Sequence, residues 1–121
     1  MYQVIFYEKT FTGVGTIVYT TEQFDCSNNM GAICSLQVLE INDGTSISIA
    51  CQGSFTGDFG NDDDWASLSL DAPIQATALG TSLFKINNLH KYIRFIITIT
   101  NKIGRANAKL TLTGNFYPTG V

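Results

Sequence analysis

The run Lys91-Tyr92-Ile93-Arg94-Phe95-Ile96-Ile97-Thr98-Ile99-Thr100 constrains this chain more than any other stretch. Ile93, Phe95, Ile97 and Ile99 fall on one side of a two-residue repeat, and Tyr92, Arg94, Ile96, Thr98 and Thr100 on the other. That alternation, rich in β-branched side chains, predicts a strand with one face in a core and the other mostly wet. Beyond Asn101-Lys102-Ile103-Gly104 the pattern resumes. Ala106, Ala108, Leu110 and Leu112 point one way; Arg105, Asn107, Lys109, Thr111 and Thr113 point the other. Two alternating runs around a short Asn/Gly turn predict an antiparallel hairpin.

The rest of the chain supplies partners for it. Tyr2-Gln3-Val4-Ile5-Phe6-Tyr7 reads as a first strand or as an extended arm that pairs with a neighbouring subunit. Residues 1–15 are therefore set apart from a single sandwich domain over 16–116 and a C-terminal tail over 117–121. Two glycines within residues 10–15 predict a turn, residues 16–20 a strand, and residues 24–31 a loop. In the longer strand that follows, Cys34, Leu36 and Val38 share a face before Leu39 and Ile41 take over, which predicts a β-bulge. Asn42-Asp43-Gly44 predicts a second hairpin, with Ile47, Ile49 and Cys51 inward on the return.

After an irregular stretch over residues 53–64, Trp65 opens a segment in which Ala66, Leu68 and Leu70 alternate. A connector containing Ala72 and Pro73 leads to a short strand at residues 82–86. No window of twelve residues carries a 3.6-residue repeat. About eight short strands with regular turn signals predict an all-β antiparallel sandwich, jelly-roll-like in arrangement. The immunoglobulin order Cys…Trp…Cys is missing, since Cys26, Cys34 and Cys51 all precede Trp65.

Charge and cysteine content narrow the function. The ten acidic residues lie at or before Asp71, and six of the seven basic ones at or after Lys85. Residues 1–71 thus balance to −9 and residues 72–121 to +6. The halves cancel if they interleave in space and make a bipolar domain, suited to head-to-tail contacts, if they do not. With pI near 4.8 and no basic cluster threaded by aromatics, nucleic acid is not an expected partner. Nor is a membrane, for no stretch approaches the length of a span. Three cysteines at irregular spacing, no leader pattern and no Asn-x-Ser/Thr sequon point to a reducing cytosol or a particle assembled there.

No catalytic set is visible, so neither an enzyme nor a cofactor is expected. His90 is the only histidine, and nothing near it supplies a nucleophile or a ligand spacing. Asp58-Phe59-Gly60 matches a kinase tripeptide by chance, in a chain far too short for a kinase. Asp62, Asp63 and Asp64 offer hard oxygen ligands for calcium but lack the spacing of the helix–loop–helix site, so they read first as a solvated loop tip. Trp65 with Phe55 and Phe59 reads as core or interface packing, or as a platform for stacking a sugar.

The order of signals over residues 32–116 resembles the small capsid decoration, or cement, proteins of tailed bacteriophages. The matching pieces are residues 46–52, Asp62-Asp63-Asp64-Trp65, residues 83–86, Lys91-Tyr92-Ile93-Arg94-Phe95 and residues 106–114. The resemblance implies a jelly-roll subunit on the outside of a virion shell, assembled in the host cytoplasm. It implies a homo-oligomer, a trimer first, that binds the major capsid protein and stabilises the expanded shell by linkage. Contacts would come from an N-terminal arm (Tyr2, Val4, Phe6, Phe11) and from the loop with Phe59 and Trp65. The alternatives are a carbohydrate-binding sandwich using Trp65 and the acidic loop, and a tail or connector component of a virion.

Overall fold

Eight antiparallel strands wrap one core in the computed structural model, which describes residues 1–71 and 74–119. Ala72 and Pro73 of the expected connector, and Gly120 and Val121 of the expected tail, lie outside the described residues. The strands are β1 (Tyr2–Thr20), β2 (Phe24–Asp25), β3 (Gly31–Ile41), β4 (Thr45–Ser54), β5 (Ala66–Leu68), β6 (Ile74–Ala76), β7 (Gly80–Asn87) and β8 (Tyr92–Tyr117). Hydrogen-bonded neighbours run β5-β4-β8-β3-β7, with β1 and β2 also on β8 and β6 on β4. The result is the expected all-β jelly-roll-like architecture, a nearly closed barrel.

β8 is its axis. The first half pairs with β4, from Ser54 opposite Tyr92 to Thr45 opposite Asn101. The second half pairs with β3, from Ile41 opposite Ala108 to Gly31 opposite Tyr117. Along the other edge β1 follows β8 throughout, from Thr20 opposite Ile96 to Tyr2 opposite Asn115. The predicted facing holds: Ile93, Phe95, Ile97, Ile99, Ala106, Ala108, Leu110 and Leu112 are all fully buried. Truncating one of the large ones, such as Phe95, costs about 3–5 kcal/mol by the usual transfer and cavity terms.

The predicted hairpin is corrected. β8 is one strand bent at residues 101–104, and its halves lie in different parts of the wall. Between the pairs Val14–Arg105 and Thr16–Thr100, β1 advances two residues and β8 five, so the Asn/Gly segment bulges outward. Asn42-Asp43-Gly44 likewise turns a corner: β3 and β4 bond to different halves of β8 and, among the described residues, not to each other. Period-two alternation looks the same for two paired strands and for one strand that turns a corner; pairing with distant strands decides between them.

Two asparagines hold this corner. The Asn101 amide donates to Asp43 O at 3.0 Å, Thr45 Oγ1 at 3.0 Å and Arg105 O at 3.2 Å, and its Oδ1 accepts from the N–H groups of Ile103 and Gly104. Asn42 Oδ1 accepts from the Thr45 hydroxyl and the Asn107 N–H, while its Nδ2 donates to Arg105 O. Gly44 sits at φ +82° with a virtual Cβ 2.7 Å from Ile103 Cγ1, so glycine is required by both conformation and space.

Two further readings meet the structure differently. The bulge expected near Leu39 is present, between Val38 and Glu40. The turn expected at residues 10–15 is not; β1 runs through it, with Gly15 at φ +78° forming a bulge. The residues set apart as strand or arm are thus bonded to the chain's own β8.

Candidate functional site

Two surfaces hold the residues singled out above. The first is the loop between β4 and β5, where Asn61 caps a 3-10 turn at Asp62–Asp64 by accepting from the Asp63 N–H. Trp65 is only 7% exposed; its indole N–H donates to Asp58 O at 2.9 Å. The Arg94 guanidinium lies 4.3 Å from the Trp65 ring centroid and 4.9 Å from that of Phe59. Arg94 also donates from Nε to Gln52 Oε1 at 2.8 Å, from Nη1 to Phe59 O and from Nη2 to Asp62 Oδ1. Arg94 was expected on the wet face of its strand, but the loop folds over it and it is buried. The cation replaces lost hydration with ring faces and three acceptors.

This geometry leaves little of Trp65 to stack a sugar. Its role is to anchor the loop. Asp62 is paired with Arg94, and the three aspartates stand along the turn without converging. Among the described residues, no three His, Cys, Asp or Glu side chains gather as a metal site. His90 stacks on Phe55 at 4.4 Å and fills the space over Gly53, with its Nδ1 buried and without a hydrogen-bond partner among the described residues. Cys26, Cys34 and Cys51 are free and buried; burial pushes the first two thiols up to about 12 and Cys51 higher still. Such thiols are inert as nucleophiles.

The second surface is the outer face of β1, β8 and β3. Alternation turns Thr111 and Thr113 of β8 and Ser35 and Gln37 of β3 outward, with Gln37 opposite Thr111 and Ser35 opposite Thr113. Val4 of β1 lies opposite Thr113 on the other side. Two register shifts in β1, between Val4 and Phe6 and between Phe6 and Lys9, then bring Tyr7 onto this face while Phe6 stays inward. Glu8, at φ +46°, donates its N–H to Thr111 Oγ1 in the second bulge. The result is an uncharged groove of about 320 Å³ lined by Tyr2, Val4, Tyr7, Ser35, Gln37, Thr111 and Thr113, with Tyr2 and Tyr7 63% and 66% exposed.

Of the proposed contact residues, Tyr2 and Val4 therefore line this groove, and Phe59 is half exposed on the loop. Phe6 and Phe11 are buried and packed edge-on with Tyr19, and Lys9 lies over the rings of Phe11 and Tyr19. Sequence reasoning missed Tyr7, Ser35, Gln37, Thr111 and Thr113 as a group. The outward positions of β3 and β8 were readable, but β1's place beside β8 was not.

No family model matches the chain, and no curated protein matches it. Solved structures do. A chain of infectious bursal disease virus, Gx strain, superposes with TM-score 0.58 at 13% identity over 94% of this chain and 32% of its own length. This chain thus spans about a third of the viral one. PirA superposes with TM-score 0.53 at 14% identity over 92% of this chain and 94% of its own. A looser likeness, TM-score 0.47 at 12% identity over 85% of this chain and 67% of the other, is to TmCBM61, solved in complex with β-1,4-galactotriose. At these identities the likeness is one of fold, a jelly-roll β-sandwich shared by proteins of different function.

Proposed function

We propose that this chain is a non-catalytic β-sandwich module that binds neutral glycans on the outer face of β1, β8 and β3. The observation that carries the reading is the uncharged groove in which Tyr2 and Tyr7 flank an amide and three hydroxyls. A pyranose ring has an apolar C–H face and a rim of hydroxyls. Tyrosine rings cover the former at low entropic cost, and Gln37, Ser35, Thr111 and Thr113 satisfy the latter from rigid strands. The lining holds no cation for an anionic sugar. The test is titration calorimetry against a panel of neutral oligosaccharides. Tyr2→Ala and Tyr7→Ala each weaken binding about tenfold, near 1.4 kcal/mol. A flat panel, or binding that survives both substitutions together, overturns the reading.

The second reading is the virion one, a capsid decoration subunit on the major capsid protein or a tail or connector part. It is favoured by Tyr2, Val4, Tyr7 and Leu83, 48–66% exposed on or beside the same face. Tyrosine-rich surface poor in charge also suits a protein interface. Native particles from the source decide it: a 13.2 kDa component in fixed, high ratio to a shell protein supports decoration, and its absence from particles overturns it.

A further inference from the structure

Among the described residues, no strand lies beside the other long edge of β1. β1 bonds to β8 along its length, and among the described residues nothing pairs with its far side. Thr21 N–H donates to Phe95 O at 2.9 Å, which sets the alternation in this stretch. Tyr19 and Ile17 therefore bond to β8, while Thr16, Val18 and Thr20 turn N–H and C=O groups away from it. Natural edges are guarded by proline, lysine, bulges or inward charges. The bulges of β1 lie at residues 4–9 and 14–16, and the five residues Thr16-Ile17-Val18-Tyr19-Thr20 carry no such guard.

We propose that this edge pairs with the same edge of a second copy, antiparallel about a two-fold axis at Val18. Val18 then meets Val18 of the partner, and Thr16 meets Thr20, so each pair exchanges two backbone hydrogen bonds. Side chains agree with this register. Valine packs on valine and threonine faces threonine, both favourable cross-strand pairs, and no charge opposes a like charge.

Outside this run, Val14 is 76% exposed on the far side of the Gly15 bulge. At the other end, where β1 stops at Thr20, lies a groove of about 410 Å³ lined by Tyr19, Thr20, Glu22, Gln23 and Phe59. The run Thr16-Ile17-Val18-Tyr19-Thr20 is self-complementary about Val18, with threonine at both ends and no charge between, and that symmetry argues for a second copy as occupant. The contact is isologous and closes on itself. It replaces the three-fold that the phage resemblance implies, and it leaves the face of Tyr2 and Tyr7 free.

Sedimentation equilibrium of the full chain at micromolar concentrations tests it. The expected mass is twice 13.2 kDa. Val18→Pro removes the outward N–H without touching the β8 ladder, and Val18→Lys adds the guard the edge lacks. Both become monomeric, with the wild-type far-ultraviolet dichroism retained. If the proline variant misfolds, the lysine variant decides alone. A wild-type monomer, a trimer, or a dimer that survives Val18→Lys overturns the proposal; a monomer that instead binds an extended peptide at this edge overturns it in favour of strand addition by another protein.

Discussion

Asn101→Ala tests the claim that β8 is one bent strand held at a corner. The side chain is 3% exposed and makes five hydrogen bonds, three as donor and two as acceptor. Ile103 and Gly104 are exposed, so water can replace the bonds to their N–H groups. Thr45 is buried at 2% exposure but keeps Asn42 as a partner for its hydroxyl. The carbonyls of Asp43 and Arg105 lose a donor near the surface. With several of the five bonds lost at about 0.5–1.5 kcal/mol net each, the loss comes to about 2–4 kcal/mol. That is a large share of the ~5–15 kcal/mol by which a domain of this size is stable.

Urea unfolding followed by Trp65 fluorescence reads it as a lower midpoint at unchanged slope. Asn101→Asp discriminates further. It keeps the acceptor for Ile103 and Gly104 but turns a carboxylate toward the carbonyls of Asp43 and Arg105, so it costs at least as much as alanine. A hairpin at residues 101–104 would treat the two variants differently, because its turn needs only the acceptor. A loss below about 0.5 kcal/mol for alanine, within the range of ordinary surface substitutions, refutes the corner argument.

The other predictions concern the loop and the thiols. Arg94→Met keeps the length of the side chain but strands Gln52 Oε1 and Phe59 O, costing about 1–3 kcal/mol and shifting Trp65 emission; Asp62→Asn, on an exposed partner, barely moves the midpoint. The three cysteines should resist a thiol reagent at pH 8 until denaturant is added. Burial holds their folded pKa values above the ordinary thiol value near 9.0, so the unfolded state loses protons first as pH rises. Stability is therefore full below about pH 9 and falls above it, by up to about 1.4 kcal/mol per pH unit for each thiol, toward the folded values near 12. Cys→Ser at all three positions that leaves the alkaline limb unchanged would refute this assignment.

Strand identity and facing were legible because each depends on neighbours in sequence. The buried row of β8, the inward Ile47, Ile49 and Cys51, and the bulge near Leu39 all followed from alternation alone. What was not legible depends on pairing. Both Asn/Gly turns carried hairpin chemistry and became sandwich corners, since the strands they join find better partners across the core. Gly13 and Gly15 suggested a turn for the same reason that they permit a bulge in β1. Arg94 sat at an outward position and is buried by a loop that no period describes. The groove escaped because its residues come from three strands whose order is a property of the fold.

The charge layout shows what that strand order does to function. Along the chain the acidic and basic halves are separate, which invites head-to-tail association. In space β8, carrying most of the basic residues, lies between strands from the acidic half, and the charges interleave. Glu40 stands opposite Lys109, Arg94 pairs with Asp62, and the Asp25 carboxyl, held below its usual range first by the Ser27 hydroxyl and N–H, is lowered further by Lys91. Asp71 accepts from the Lys85 N–H at 2.6 Å. Where opposite charges meet in this way, they neither steer partners over a distance nor fix a polar assembly. What the molecule presents instead are an uncharged tyrosine-flanked face and an uncharged open edge, at opposite ends of β1. Recognition by either must rest on shape, hydrogen bonds and apolar contact, so a neutral glycan and a second copy of this chain are the occupants that its chemistry favours.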